Sequence, residues 1–101
     1  MIYKIIYSDD TKKDLSELAD TITYEFKAPL TSFRYIRELR KVIHSLKRSP
    51  EAYAIQTRQS LQQYGANVRR INYKRMAVIY TVHDDTVYIH RVVPASMITG
   101  L

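Results

Sequence analysis

Residues 65–93, GANVRRINYKRMAVIYTVHDDTVYIHRVV, decide the fold of this chain. The triplet Gly65-Ala66-Asn67 is a turn signal, and the runs that follow it are rich in β-branched and aromatic residues. We predict three strands, over residues 68–73, 76–82 and 87–93. Residues 83–86 form a tight link between the last two strands, so the stretch predicts an antiparallel meander.

The chain before this stretch predicts one strand and then a helix. Residues 2–7 are rich in β-branched and aromatic residues and are followed by Ser8-Asp9-Asp10, which indicates a short strand and then a helix that Ser8 or Asp9 caps. Apolar residues at spacings of three and four give this helix one apolar stripe, formed by Leu15, Leu18, Ala19, Ile22 and Phe26.

A second helix is predicted after Pro29, from about residue 30 to residue 46, and Ser49-Pro50 terminates it. Its buried stripe is Phe33, Ile36, Leu39, Val42, Ile43 and Leu46. The short connection favours an antiparallel helical hairpin. Residues 51–67 show no clear period and predict a connection with a short helix or a strand. The 101 residues therefore predict one α+β domain, an N-terminal strand, the hairpin and the meander.

The run Met76-Ala77-Val78-Ile79-Tyr80-Thr81-Val82 is apolar or amphipathic at nearly every position, so both faces of the central strand need cover. Two helices cover one face of such a sheet. The other face is then covered by a partner chain or a dimer mate, or the small protein hides both faces within itself.

Composition excludes several classes of protein. The absence of cysteine excludes a disulfide framework, a zinc ribbon and a thiol nucleophile. The three histidines have no metal-ligand spacing, so we expect no metal and no cofactor. The apolar runs are far shorter than a membrane span, and residues 1–7 are too short and polar for a signal peptide. These features predict a cytoplasmic protein.

The net charge of +6 comes from the middle of the chain. Residues 1–33 carry 4 cations and 6 anions, residues 34–75 carry 11 and 2, and residues 76–101 carry 1 and 2, giving −2, +9 and −1. Eight of the eleven central cations are arginine, whose planar fork matches phosphate or carboxylate. The middle of the chain therefore favours an acidic or polyanionic partner.

Two groups of residues are candidates for that contact. The first group lies on or beside one strand and consists of Arg69, Arg70, Tyr73, Lys74 and Arg75. Cations beside an aromatic ring are typical of a nucleic-acid surface, and a charged, solvated edge strand has the same pattern. The second lies on the second helix, where Arg37, Arg40 and Lys41 have little opposing charge. They favour an acidic ligand or form a solvated face.

One histidine is a candidate for chemistry. His90 precedes Arg91 on the last predicted strand and could act as a general base, or it could be a packed or surface histidine. No nucleophile elbow, phosphate-binding loop or dinucleotide fingerprint is present.

The order of elements resembles the RelE/ParE superfamily of bacterial type II toxins, which includes plasmid stabilisation proteins. The resemblance rests on the Leu15-containing first helix, on Leu46 and Pro50 at the end of the second, and on the stretch from Gly65 to Val93. It implies a growth-inhibiting toxin that an antitoxin silences by wrapping around the sheet and helices. Tyr80 on the central strand would then join the helix cations at the antitoxin surface.

The superfamily has two branches. ParE-like members poison DNA gyrase, and RelE-like members cut messenger RNA on the ribosome. In a RelE-like member Arg69 and Arg91 would hold phosphate and His90 would be the base. The tail after Arg91 has no Tyr, His or Lys, which departs from that pattern and favours the ParE-like branch. A homodimer, and a nucleic-acid-binding module without toxicity, are further alternatives.

Overall fold

The structure, a computed structural model, describes residues 1–98 and is built on one four-stranded sheet. The last three residues of the tail, 99–101, lie outside the described part. The strands are β1 (Lys4–Tyr7), β2 (Arg69–Tyr73), β3 (Met76–His83) and β4 (Thr86–Pro94), and the helices are α1 (Asp9–Asp20) and α2 (Pro29–Ser45). The predicted α+β class and the predicted meander are confirmed.

The sheet has the order β1-β4-β3-β2, and one pairing in it is parallel. The meander strands pair antiparallel, whereas β1 pairs parallel with β4 and so lies at one edge. The sequence predicted the strand β1 without a partner for it, and the structure places it parallel to β4. A parallel neighbour needs a long crossover, and α1, α2 and the meander between β1 and β4 supply it.

The N-terminus of α1 is fixed to β4 by side-chain caps. Ser8 accepts a hydrogen bond from the backbone N–H of Thr11 (3.0 Å) and donates one to the His90 carbonyl (2.9 Å). The Thr11 hydroxyl donates to the Ile89 carbonyl (2.9 Å). His90 is the extra residue of a β-bulge in β4, which re-aims the strand at this point. The predicted cap at Ser8 is therefore confirmed, and it also docks the helix on the sheet.

The two helices form the predicted antiparallel hairpin. The Ser32 hydroxyl at the start of α2 donates to the Ala19 carbonyl near the end of α1 (2.9 Å). Beyond the other end of α2, the Lys47 carbonyl accepts from the Tyr3 N–H, just before β1 (2.8 Å). A π-helical turn at Thr21–Glu25 leads out of α1.

Two aromatic residues of the predicted stripes are exposed rather than buried. Phe26 follows the π-helical turn and is 71% exposed, and Phe33 in the first turns of α2 is 65% exposed. The wider π turn breaks the 3.6-residue period, so the α1 stripe does not continue to Phe26. The α2 stripe is fully buried only farther along the helix, at Leu39, Ile43 and Leu46.

The sheet is covered on both faces by its own chain. One core cluster packs the helices on the sheet and includes Leu39, Tyr80 and Ile89. A second cluster on the opposite face contains Val68 and Ile79, among others, and the short 3₁₀ helices Gln59–Tyr64 and Ala95–Met97 cover it. Of the two alternatives for the central strand, the structure shows cover from within the chain. Residues 51–67, which show no clear period in the sequence, supply part of this cover through the 3₁₀ helix Gln59–Tyr64.

A single carboxylate closes the edge of β4 beyond the end of β1. Asp14 on α1 accepts hydrogen bonds from the Val92 backbone N–H (2.9 Å) and from Nε (2.8 Å) and Nη2 (2.9 Å) of Arg91. The Asp14 side chain is only 11% exposed. It therefore takes the place of a neighbouring strand and ties α1 to the sheet.

Replacing Asp14 with alanine is expected to lower the free energy of unfolding by about 2–4 kcal/mol, because it leaves a half-buried guanidinium and a backbone N–H without their acceptor. Lys13→Ala, which removes an exposed ion pair with Glu17, is expected to change it by less than about 0.5 kcal/mol. Urea denaturation measures both values. Equal effects of the two changes would contradict the role given to Asp14.

Candidate functional site

The predicted cluster on β2 is divided between the two faces of the sheet. Arg69 pairs with Tyr80 in register and lies on the helix side, whereas Arg70 pairs with Ile79 and lies on the opposite side. The Arg69 guanidinium is 14% exposed and donates hydrogen bonds to the carbonyls of Glu51 (3.2 Å) and Tyr53. Arg69 therefore anchors the segment before β2 and is not a free surface cation.

The remaining members of the predicted cluster meet α2. Tyr73 packs edge-on against Tyr35 of α2, and Lys74 lies over both rings. Arg75 is exposed in the turn between β2 and β3. We call Tyr35, Tyr73 and Lys74 the tyrosine–lysine cluster. Tyr35 was not among the residues predicted from the sequence, because its place on a mixed helix face carried no signal of a contact with β2.

The predicted helix cations Arg37, Arg40 and Lys41 are exposed on α2. Glu38 lies 3.5 Å from Nε of Arg37 and 3.3 Å from Nζ of Lys41, so it offsets part of their charge. The Arg40 guanidinium lies 5.5 Å from the ring centroid of Tyr7. Its aromatic contact positions that cation beside β1.

An open apolar groove runs along these cations between α1, α2 and β1. It consists of two adjoining hollows of about 660 Å³ and 520 Å³, both lined by Ala19, Ile36 and Arg40. Ile6 lines the first hollow, Phe33 lines the second, and both are exposed. We call this the hairpin groove. The hairpin groove combines an apolar floor with a cationic rim. Phe33 lines it because the apolar stripe of α2 is exposed, not packed on the sheet, at this end of the helix.

Tyr80 does not belong to a partner surface. Its side chain is fully buried in the core cluster under the helices, and its hydroxyl donates to the Pro50 carbonyl (2.6 Å). Burial raises the pKa of this hydroxyl, so it stays protonated as a donor. The prediction that Tyr80 contacts an antitoxin is corrected, because β3 is covered on this face by α2 and by residues 50–53.

The residues of the alternative catalytic reading are not assembled. Arg91 is paired with Asp14, whose hydrogen bonds raise the pKa of the guanidinium. His90 has Nε2 2.7 Å from the Thr81 hydroxyl, and its ring stacks on Tyr64 at 5.5 Å between centroids. Arg69 lies on the opposite face of the sheet from Arg91, which pairs with Ile79. The three side chains therefore do not converge on one phosphate.

Comparison of the sequence with known protein families identifies the family of this chain. The family described as "ParE toxin of type II toxin-antitoxin system, parDE" matches residues 5–99. The chain belongs to the ParE toxin family. No curated protein matches its sequence.

The fold of this ParE-family chain is also that of a solved structure described as "Chromosomal ParDE TA system from P. aeruginosa". The two superpose with a TM-score of 0.75 over 92% of this chain and 96% of that chain, at 12% sequence identity. The superposition shows that the two chains share a fold, and at this sequence identity it shows the fold alone. The resemblance to the superfamily and the preference for its ParE-like branch are thus confirmed.

Two absences within residues 1–98 accompany this assignment. No group of three or more His, Asp or Glu side chains is placed to hold a metal ion. No helix in that range is long and apolar enough to cross a membrane. The hairpin groove and the tyrosine–lysine cluster are the candidate surfaces that residues 1–98 present.

Replacing Tyr80 with phenylalanine is expected to lower the free energy of unfolding by about 1–2 kcal/mol, because the Pro50 carbonyl loses its buried donor. Tyr24→Phe removes a hydroxyl from an exposed ring and is expected to leave stability unchanged. Thermal or urea denaturation of the two variants tests this. An unchanged free energy of unfolding in Tyr80→Phe would contradict the role of the buried hydrogen bond to the Pro50 carbonyl.

The free energy of unfolding is expected to decrease as the pH falls from the ordinary histidine pKa of 6.5 toward the lower pKa of folded His90. Burial, and secondarily His83, lower that pKa, so the unfolded chain takes up the proton first. His90→Gln is expected to flatten the decrease of the free energy of unfolding as the pH falls below about 7, which urea denaturation at a series of pH values measures. An unaltered profile in His90→Gln would contradict this assignment.

Proposed function

We propose that this chain is the toxin of a type II toxin–antitoxin pair, that it inhibits growth by acting on DNA gyrase, and that a cognate antitoxin neutralises it. The observation that carries the proposal is the ParE family match over residues 5–99. The divided positions of Arg69 and Arg91 support a binding protein over the alternative, a ribosome-dependent endoribonuclease.

The hairpin groove is proposed as the antitoxin surface. Its floor is apolar at Ile36 and Phe33, and Arg37 and Arg40 stand at its rim. An amphipathic helix with acidic residues beside its apolar face satisfies both features, because its apolar face is buried and its carboxylates meet the arginines. Lys41, one turn along α2 from Arg37, extends the cationic rim.

The target is tested with the purified chain in a DNA supercoiling assay. The chain is expected to inhibit gyrase and to accumulate cleaved DNA complexes. A short protein encoded by the adjacent reading frame is the candidate antitoxin, and it is expected to reverse both effects. Gyrase that remains fully active would exclude this target. Codon-phased cleavage of messenger RNA after induction of the chain would establish the endoribonuclease instead.

The groove is tested by charge reversal and by loss of its apolar floor. Arg40→Glu and Phe33→Asp are each expected to weaken binding of that adjacent-frame protein at least about tenfold, or roughly 1.4 kcal/mol, without unfolding the chain, because both side chains are exposed. Arg48→Glu makes the same charge change beyond the end of α2 and is the control. Calorimetric titration measures the three affinities. Equal losses for Arg40→Glu and Arg48→Glu would show that only net charge matters.

A further inference from the structure

The tyrosine–lysine cluster fixes an ammonium group at the surface, away from the hairpin groove. The rings of Tyr35 and Tyr73 are 5.1 Å apart between centroids and inclined at 68°. Nζ of Lys74 lies 5.6 Å from the first centroid and 5.5 Å from the second. A cation held by two ring faces loses less conformational freedom when it binds an anion than a lysine that moves freely.

The backbone contributes to this placement. Lys74 has φ of 52° in the turn that joins β2 to β3, in the left-handed region where glycine or asparagine is usual. Side chains with a Cβ rarely adopt this conformation. The turn conformation directs the Lys74 side chain back over Tyr73 and toward α2.

The charge around the cluster is positive. Thr31, Arg34 and Glu38 complete the lining of a hollow of about 240 Å³ beside it. Glu38 is already engaged by Arg37 and Lys41, and Arg34 is exposed without an ion pair among residues 1–98. Residues 52–83 contain five cations and no Asp or Glu, so the hairpin that carries Lys74 has no acidic residue of its own.

We propose that the tyrosine–lysine cluster and Arg34 form a binding site for the phosphodiester backbone of a nucleic acid. Lys74 supplies a fixed point charge and Arg34 supplies a planar fork that can hold two phosphate oxygens. Arg75, next to Lys74 in the same turn, extends the cationic surface along the strand of the ligand. The tyrosine rings hold the cation and give an aromatic surface beside the phosphate path.

The chemistry of the hollow favours a nucleic acid over an acidic peptide. Its lining contains two tyrosine rings, a threonine and three charged side chains and no Leu, Ile, Val or Met, whereas Ile6, Leu15 and Ile36 line the hairpin groove. An amphipathic helix would therefore find fewer aliphatic side chains to pack against here than in the hairpin groove. A phosphate backbone needs no such side chains, because its affinity comes mainly from cations and released counterions. This inference goes beyond the proposed function and requires neither gyrase nor an antitoxin.

The test uses the full chain and three short fluorescent ligands of one sequence: duplex DNA, single-stranded DNA and single-stranded RNA. Fluorescence anisotropy over a series of salt concentrations gives the affinity and its salt dependence. Lys74→Ala and Arg34→Ala are each expected to weaken binding severalfold and to reduce the slope of log K against log salt by about 1. The ligand that binds most tightly distinguishes DNA from RNA and duplex from single strand.

Lys47→Ala is the matched control, because it removes one exposed cation beyond the C-terminal end of α2, whereas Arg34 lies near the N-terminal end of that helix. Tyr35→Phe is expected to keep the affinity, whereas Tyr35→Leu, which keeps the charge and removes the ring, is expected to weaken it. Circular dichroism and thermal denaturation verify that each variant is folded.

Equal effects of Lys74→Ala and Lys47→Ala would overturn the proposal, since binding would then follow net charge alone. Stronger binding of polyglutamate than of any nucleic acid would overturn it in favour of an acidic peptide. The proposal would also be overturned if the chain bound none of the three ligands. Gyrase inhibition is measured in a separate assay with its own outcome, so failure of this site is distinguishable from failure of the proposed function.

Discussion

Burial of β3 on both faces is the constraint on which the other elements depend. Residues 76–81 are buried at every position, and Ile79 and Tyr80 point into different core clusters. A strand of this kind folds only if the chain supplies two layers of cover. The helical hairpin is one layer, and the 3₁₀ helices around residues 59–64 and 95–97 are the other. A small protein can therefore keep a dry central strand without a partner chain.

Two arginines that the sequence offered as ligand-binding residues, Arg69 and Arg91, hold these layers in place. Arg69 binds the carbonyls of Glu51 and Tyr53 and so attaches the segment before β2. Arg91 pairs with Asp14 and attaches α1 to the exposed edge of β4. A guanidinium suits both tasks, because its fork of donors satisfies two acceptors at once. Part of the positive charge of this ParE-family chain is thus structural.

The cations that remain at the surface belong to two places with different chemistry. The hairpin groove has exposed apolar side chains such as Phe33 beside Arg37 and Arg40, which suits a folded, amphipathic protein segment. The tyrosine–lysine cluster has aromatic rings and cations without Leu, Ile, Val or Met side chains among them, which suits a polyanion. Separate surfaces of this kind would let a toxin meet a neutralising protein and a target through different contacts.

The sequence by itself determined the types of element, their order and the α+β class, because runs of β-branched and aromatic residues, the 3.6-residue stripe and turn residues are local properties of the chain. It also indicated that both faces of β3 need cover, and it located the positive charge. The tertiary structure decided the parallel place of β1, the exposure of Phe33 and the internal roles of Tyr80, Arg69 and Arg91. It also brought Tyr35 to Lys74. Each of these depends on which distant segment lies opposite a residue, and no local pattern of residues specifies that.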